Sequence, residues 1–201
     1  MNLRRVSRLS SPVRRLAVGA VTAVLALAGC GAGGGGAAEG GNFQGSGPIG
    51  TVRADERRPA PDLSGTTLQG KPLDVADYRG QVVVVNLWAS QCGPCRREAP
   101  SLAKVAKDTK ARGVRFVGIN TSDGSREGAA RFEQGFGVPY PSLYDPMGRI
   151  VLRFPKGSIN PQAIPATVVL DRKGRIAARA LMPLTEGELR TVLKPLIAEH
   201  A

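Results

Sequence analysis

The chain has 201 residues, a formal net charge of +12, 42% hydrophobic residues, one histidine and three cysteines. About 150 residues after the N-terminal segments support one ordinary domain with a real core, and three cysteines, one apart and two in a single Cys-x-x-Cys, are not the pattern of a disulfide-stapled scaffold. The basic residues of the body are scattered singly instead of clustering with aromatics, which excludes a nucleic-acid partner. The chain opens with Arg4, Arg5, Arg8, Arg14 and Arg15, followed from Leu16 to Ala28 by an apolar run broken only by Thr22. That run is shorter than the ~20 residues a membrane span needs, and it has the order of a secretory leader, basic and then apolar.

Small residues Ala28 and Gly29 precede Cys30. Leu27-Ala28-Gly29-Cys30 resembles the lipobox of bacterial lipoproteins, which implies cleavage after residue 29 and lipid attachment to Cys30. The membrane, through that anchor, is then a partner. Removing five arginines and no acid with the leader lowers the net charge by five and leaves a basic secreted domain. Two arginine pairs, Arg4-Arg5 and Arg14-Arg15, leave the export route open. Half of residues 31–50 are glycine, a composition that buries no core. The expected division is a signal peptide over 1–29, a flexible tether over 30–52 reaching about 25 Å, and a folded domain over 53–201.

Within that domain, Pro61 to Leu68 and Lys71 to Val75 flank Gln69-Gly70 and read as a short hairpin closed by Tyr78-Arg79-Gly80. Val82 to Leu87 is nearly all apolar and β-branched, as in a strand buried on both faces. Pro94 to Ala111 reads as a helix with Ala99, Leu102, Ala103, Val105 and Ala106 on one side, and Pro100 is expected to kink it. Val114–Asn120 reads as a strand, Ser125–Phe136 as a helix stopped by Gly137, Ser142–Asp145 as a short strand and Arg149–Phe154 as a helical turn or a short helix. Ala166–Asp171 and Arg175–Leu181 form a hairpin around Arg172-Lys173-Gly174. Thr185 begins a closing helix to Glu199, with Glu188 as the acid of a capping box. This order gives an α/β fold, a mixed sheet with helices on both faces.

A buried strand running into Cys92-Gly93-Pro94-Cys95 at the start of a helix is a device for exchanging disulfides. Backbone N–H groups and the helix dipole favour a thiolate on Cys92, the outer sulfur, and Cys95 lies one turn in. A zinc site needs further ligands, and the sole histidine is His200, next to the C-terminus. A structural bridge across two residues would stabilise little.

Asn86-Leu87-Trp88-Ala89, Cys92-Gly93-Pro94-Cys95-Arg96, Glu98, Pro100 and Ile164-Pro165-Ala166-Thr167 together resemble the TlpA/ResA-like branch of thioredoxin-family thiol-disulfide oxidoreductases. The resemblance implies a thioredoxin fold, with residues 123–160 as the βα insertion of this branch. It implies that Cys92 attacks, Cys95 resolves and Glu98 moves protons, Glu98 taking over from a buried acid whose place Asn86 holds. Trp88, Gly93, Pro94, Ile164 and Pro165 are expected to form the substrate-binding surface, with Pro165 cis and Trp88 packing beneath the cysteines. No cofactor is implied. The partners implied are exported proteins with disulfides or thiols, such as apocytochrome c, and a membrane protein that donates electrons. Gln91 departs from the family, which has an aromatic residue there. Reduction is the expected direction, by analogy with the Gly-Pro of thioredoxin, while oxidation uses the same residues. A peroxidase would need Thr and Pro where Ala89 and Val85 stand, and a copper carrier needs three residues between its cysteines. One small domain without a second lobe is a poor solute clamp, although a binding lipoprotein remains the alternative class.

Overall fold

The computed structural model describes residues 43–45 and 47–199, so the leader, Cys30 and His200 lie outside the described residues. Eight strands and three α-helices follow in the order β1 (Ile49–Thr51), β2 (Ser64–Thr66), β3 (Pro72–Asp74), β4 (Val82–Trp88), α1 (Gly93–Thr109), β5 (Val114–Thr121), α2 (Arg126–Phe136), β6 (Ser142–Asp145), β7 (Ala166–Leu170), β8 (Ile176–Ala180) and α3 (Glu186–Ala198). Six of them form a mixed sheet in the order β1-β8-β7-β4-β5-β6, and β2 and β3 pair separately. β4 lies parallel to β5 and antiparallel to β7, and every one of its residues is buried. Its unbroken β-branched run therefore meets the demand of a strand with neighbours on both edges and cover on both faces.

Alternate residues of β4 serve two cores. Val82 and Val84 pack with Leu102 and Val105 of α1 and Leu189 and Leu193 of α3. Val83, Val85 and Leu87 pack with Leu63, Val75, Ile150 and Phe154. This second face is covered by the β2–β3 hairpin and by one-turn 3-10 helices at Val75–Tyr78 and Val151–Arg153, the second lying within the span read as a helical turn or short helix. The helix ends follow local chemistry. Ser125 caps α2 and Gly137 ends it in the left-handed region (φ 60°), while Thr185 and Glu188 form the capping box of α3. Gly174, at φ 72°, turns β7 into β8.

The N-terminal limit of the domain differs from the expectation. Ile49–Thr51, assigned to the tether by glycine content, pair antiparallel with Ala178–Ala180 of β8, and the Val52 N–H donates to Ala177 O at 2.8 Å. A β8 edge without this strand would leave a row of backbone groups unpaired, and three residues suffice to cover it. None of the described helices is long and apolar enough to cross a membrane.

Candidate active site

Strand β4 delivers the chain to the start of α1, and the site is built at that junction. Cys92 is the N-cap residue of α1, and its Sγ accepts the Cys95 N–H at 3.1 Å. The two sulfurs are joined as a disulfide across a Cα–Cα distance of 5.2 Å. Cys92 is partly exposed and Cys95 is buried, the asymmetry expected of an attacking and a resolving sulfur. Gly93 is exposed beside them and Pro94 occupies the first helical turn, where its missing N–H costs nothing. The Ile164-Pro165 peptide is cis, and Ile164 O lies 3.7 Å from Cys92 Sγ, so the chain just before β7 faces the disulfide directly.

Trp88 sits underneath. It is 4% exposed, stacks on Phe132 of α2 with ring centroids 4.4 Å apart, and donates from Nε1 to Ser142 Oγ. It therefore packs beneath the cysteines, as its pattern suggested, and has almost no surface to offer a bound polypeptide, which corrects its place among the substrate-binding residues. The close approach needs Gly118, because a Cβ there would lie 2.0 Å from Ser142 Oγ and 2.7 Å from Trp88 Nε1.

Glu98 is the one acidic side chain of α1 carried into the interior, 2% exposed. Its Oε1 accepts from Asn86 Nδ2 at 2.8 Å and its Oε2 from the Leu184 N–H at 2.9 Å. Asn86 Nδ2 also donates to Thr167 Oγ1 at 3.2 Å, so α1, β4 and β7 share one polar network. Burial raises the Glu98 carboxyl to about 7, and the two neutral donors recover only part of the cost of desolvating its charge. A cavity of about 10 Å³, room for roughly one water, touches both Asn86 and Cys95, with Tyr140 on its wall. Burial, then the Glu98 and Glu133 carboxyls, push the Tyr140 phenol upward, so it stays a neutral hydroxyl.

The loop before Cys92 is held by residues the sequence did not single out. Buried Asp123 accepts from the Ser90 N–H at 2.9 Å, from Ser90 Oγ at 2.8 Å and from Asn120 Nδ2 at 2.6 Å. Gln91, the departure from the family pattern, donates to Ser122 O at 3.1 Å, and Ser122 adopts φ 64°. The only local hint was an aspartate in the Ser-Asp-Gly-Ser loop, and the partner that ties it to the cysteine loop, Ser90, lies 33 residues away. Among the described residues, no group of three His, Cys, Asp or Glu side chains could hold a metal ion.

Comparison with known proteins agrees with this geometry. The family model described as Redoxin matches residues 55–193. The chain is 36% identical over 132 residues to the thiol:disulfide interchange protein HelX of Rhodobacter capsulatus, covering 65% of this chain and 69% of that protein. It is 26% identical over 137 residues to the thiol-disulfide oxidoreductase ResA of Geobacillus kaustophilus, covering 68% and 75%. Among solved structures, a secreted thiol-disulfide isomerase from Corynebacterium glutamicum superposes with a TM-score of 0.72 at 32% identity, covering 80% of this chain and all of that one. The chain belongs to the Redoxin family and is a thioredoxin-fold thiol-disulfide oxidoreductase with a Cys92–Cys95 pair.

Proposed function

We propose that the protein reduces disulfides in exported polypeptides outside the cytoplasmic membrane, tethered there by a lipid on Cys30. The observation that supports an active exchange site is the pairing of a half-exposed sulfur with a buried one, next to a buried carboxyl whose proton affinity is near neutral. In the reduced enzyme the Cys92 thiolate attacks one sulfur of the substrate disulfide. The Cys92–substrate bond forms as the substrate bond breaks, and the first substrate thiolate leaves. Cys95 gives up its proton toward Glu98, through the small cavity bordered by Asn86, and attacks Cys92 Sγ. The Cys92–Cys95 bond closes, the second thiolate leaves, and the protons of the two enzyme thiols end on the two substrate thiols. The backbone of Ile164, beside Cys92, is placed to pair with the incoming chain. The oxidised pair is then reset by an electron donor in the membrane. Haem-binding cysteines of apocytochrome c are a substrate suggested by the resemblance alone.

The deciding experiment is the reduction potential of the Cys92–Cys95 pair, measured against glutathione in a chain carrying Cys30→Ser. A value near about −270 mV or lower supports reduction, and one approaching about −120 mV marks an oxidant and reverses the assigned direction.

A further inference from the structure

An open groove of about 440 Å³ starts at the residue before Cys92 and runs between the first turns of α1 and helix α2. Ser90, Gln91 and Arg96 form one wall. The other is a stripe of α2 at spacings of three and four, Gly128, Arg131, Phe132 and Gly135, which are the positions that share one helix face. The Arg96 guanidinium lies over the rings of Phe136 and Phe132, 5.2 and 5.8 Å from their centroids, so the cation is held in place on an apolar floor.

Two features of this groove are not explained by ion pairing or close packing among the described residues. Neither Arg96 nor Arg131 forms an ion pair among the described residues, although cations elsewhere on the domain do. Glu127, one turn before Arg131, is not within pairing distance, and Asp123 is committed to Ser90 and Asn120. Gly135 is the second feature. A glycine inside a helix lowers its stability relative to alanine, yet a Cβ at Gly135 would meet nothing within 4 Å. No close packing among the described residues requires glycine there, and its effect is to keep the trough open.

We propose that this groove docks the polypeptide flanking the substrate cysteine and selects acidic segments, with carboxylates close to that cysteine meeting Arg96 and Arg131 and apolar side chains resting on the partly exposed Phe136. The inference rests on the exchange reading above, since a cysteine joined to Cys92 Sγ lays its neighbours over Gln91 and into the groove. Exposed ion pairs add little affinity, so the selection acts chiefly on the encounter rate and fades with salt.

The test uses the full chain with Cys30→Ser, reduced, and symmetric peptide disulfides whose central cysteine is flanked by Asp, Ala or Lys, with hydroxyethyl disulfide as a small neutral substrate. Each acidic-to-basic rate ratio is taken within one protein, so overall changes in rate cancel. The wild-type ratio should be about tenfold at low ionic strength and approach one at high salt. Arg131→Glu should bring it to one or invert it. Lys107→Glu, an equal charge change on an exposed part of α1 outside the groove, should leave it at the wild-type value. Gly135→Leu, which fills the trough, should slow peptides of every charge relative to hydroxyethyl disulfide. A wild-type ratio near one, or the same drop in Arg131→Glu and Lys107→Glu, overturns the groove assignment while exchange with hydroxyethyl disulfide stands. Failure to reduce any of the disulfides sinks the exchange reading and the groove with it.

Discussion

Two buried carboxylates at opposite ends of this sheet show how surroundings decide what an acid does. Asp171, at the β7–β8 turn, is 3% exposed, and Glu98 beneath the disulfide is 2% exposed. Burial alone would raise both. At Asp171 it is outweighed by backbone N–H groups of Lys173 and Arg175 and by the Arg175 and Arg57 guanidiniums, which hold its carboxyl below the usual range. Among the described residues Glu98 has two neutral donors and no cation as hydrogen-bond partners, and its carboxyl rises to about 7. One acid is thereby fixed as a charge that ties Arg57 and, through it, Glu199 to the turn. The other stands near the balance point between protonated and ionised at neutral pH, where a proton carrier works best.

The largest effect that sharpens this contrast should come from the end far from the cysteines. Asp171→Ala leaves the buried Arg57 with Glu199 as its only carboxylate partner among the described residues and frees two turn N–H groups, and should cost about 4 kcal/mol in urea unfolding. Exchange rates per folded molecule should stay unchanged, and a loss of chemistry beyond the loss of folded protein would break the division of roles. The pH dependence of stability comes next, with opposite signs for the two acids. The Asp171 contribution is present above the ordinary carboxylate range and is lost as pH falls through its lowered folded value. Glu98 ionises at about 4.5 when unfolded and about 7 when folded, so its contribution is full below 4.5 and is lost as pH rises through 7. That loss amounts to about 3 kcal/mol. Glu98→Gln should abolish it, since the substituted amide can accept from the Leu184 N–H and donate to a flipped Asn86. A wild-type stability curve with no decline between pH 4.5 and 7, relative to Glu98→Gln, would contradict the buried, uncompensated carboxyl.

How far each end was legible in the sequence follows from the range of its contacts. The valine run of β4, the Cys-x-x-Cys at a helix start, the Thr185–Glu188 capping box and the Gly174 turn are local signals, and the structure has each where its pattern placed it. Glu98 stood out by its place one turn after Cys95, but its environment did not, because Leu184 comes from 86 residues away. Asp123 and Gly118 were missed for the same reason, their partners being Ser90, Trp88 and Ser142 on other elements. Strand β1 was hidden for the opposite reason. Glycine content over twenty residues outweighed three that find an open sheet edge. The α2 stripe of the groove was read only as a helix, since the face it presents depends on where α2 packs.

The chemical half of the comparison is tested by Glu98→Gln in the exchange reaction itself. Removing the proton carrier should slow the resolving step by about 100-fold at pH 7, within the range for general acid–base groups. It should also remove the inflection near pH 7 from the rate profile. Attack by Cys92 on a small disulfide should change far less, because Cys92 is stabilised by the helix start and the Cys95 N–H. A uniform slowing of both steps would make Glu98 a packing residue. The smallest effect should come from Thr167→Val, which removes one acceptor of Asn86 Nδ2 and leaves the bond to Glu98 intact. It should cost about 1 kcal/mol and leave the pH inflection in place. If the inflection moves instead, Glu98 owes its proton affinity to how Asn86 is held as much as to burial, and the contrast with Asp171 becomes one of hydrogen-bond geometry.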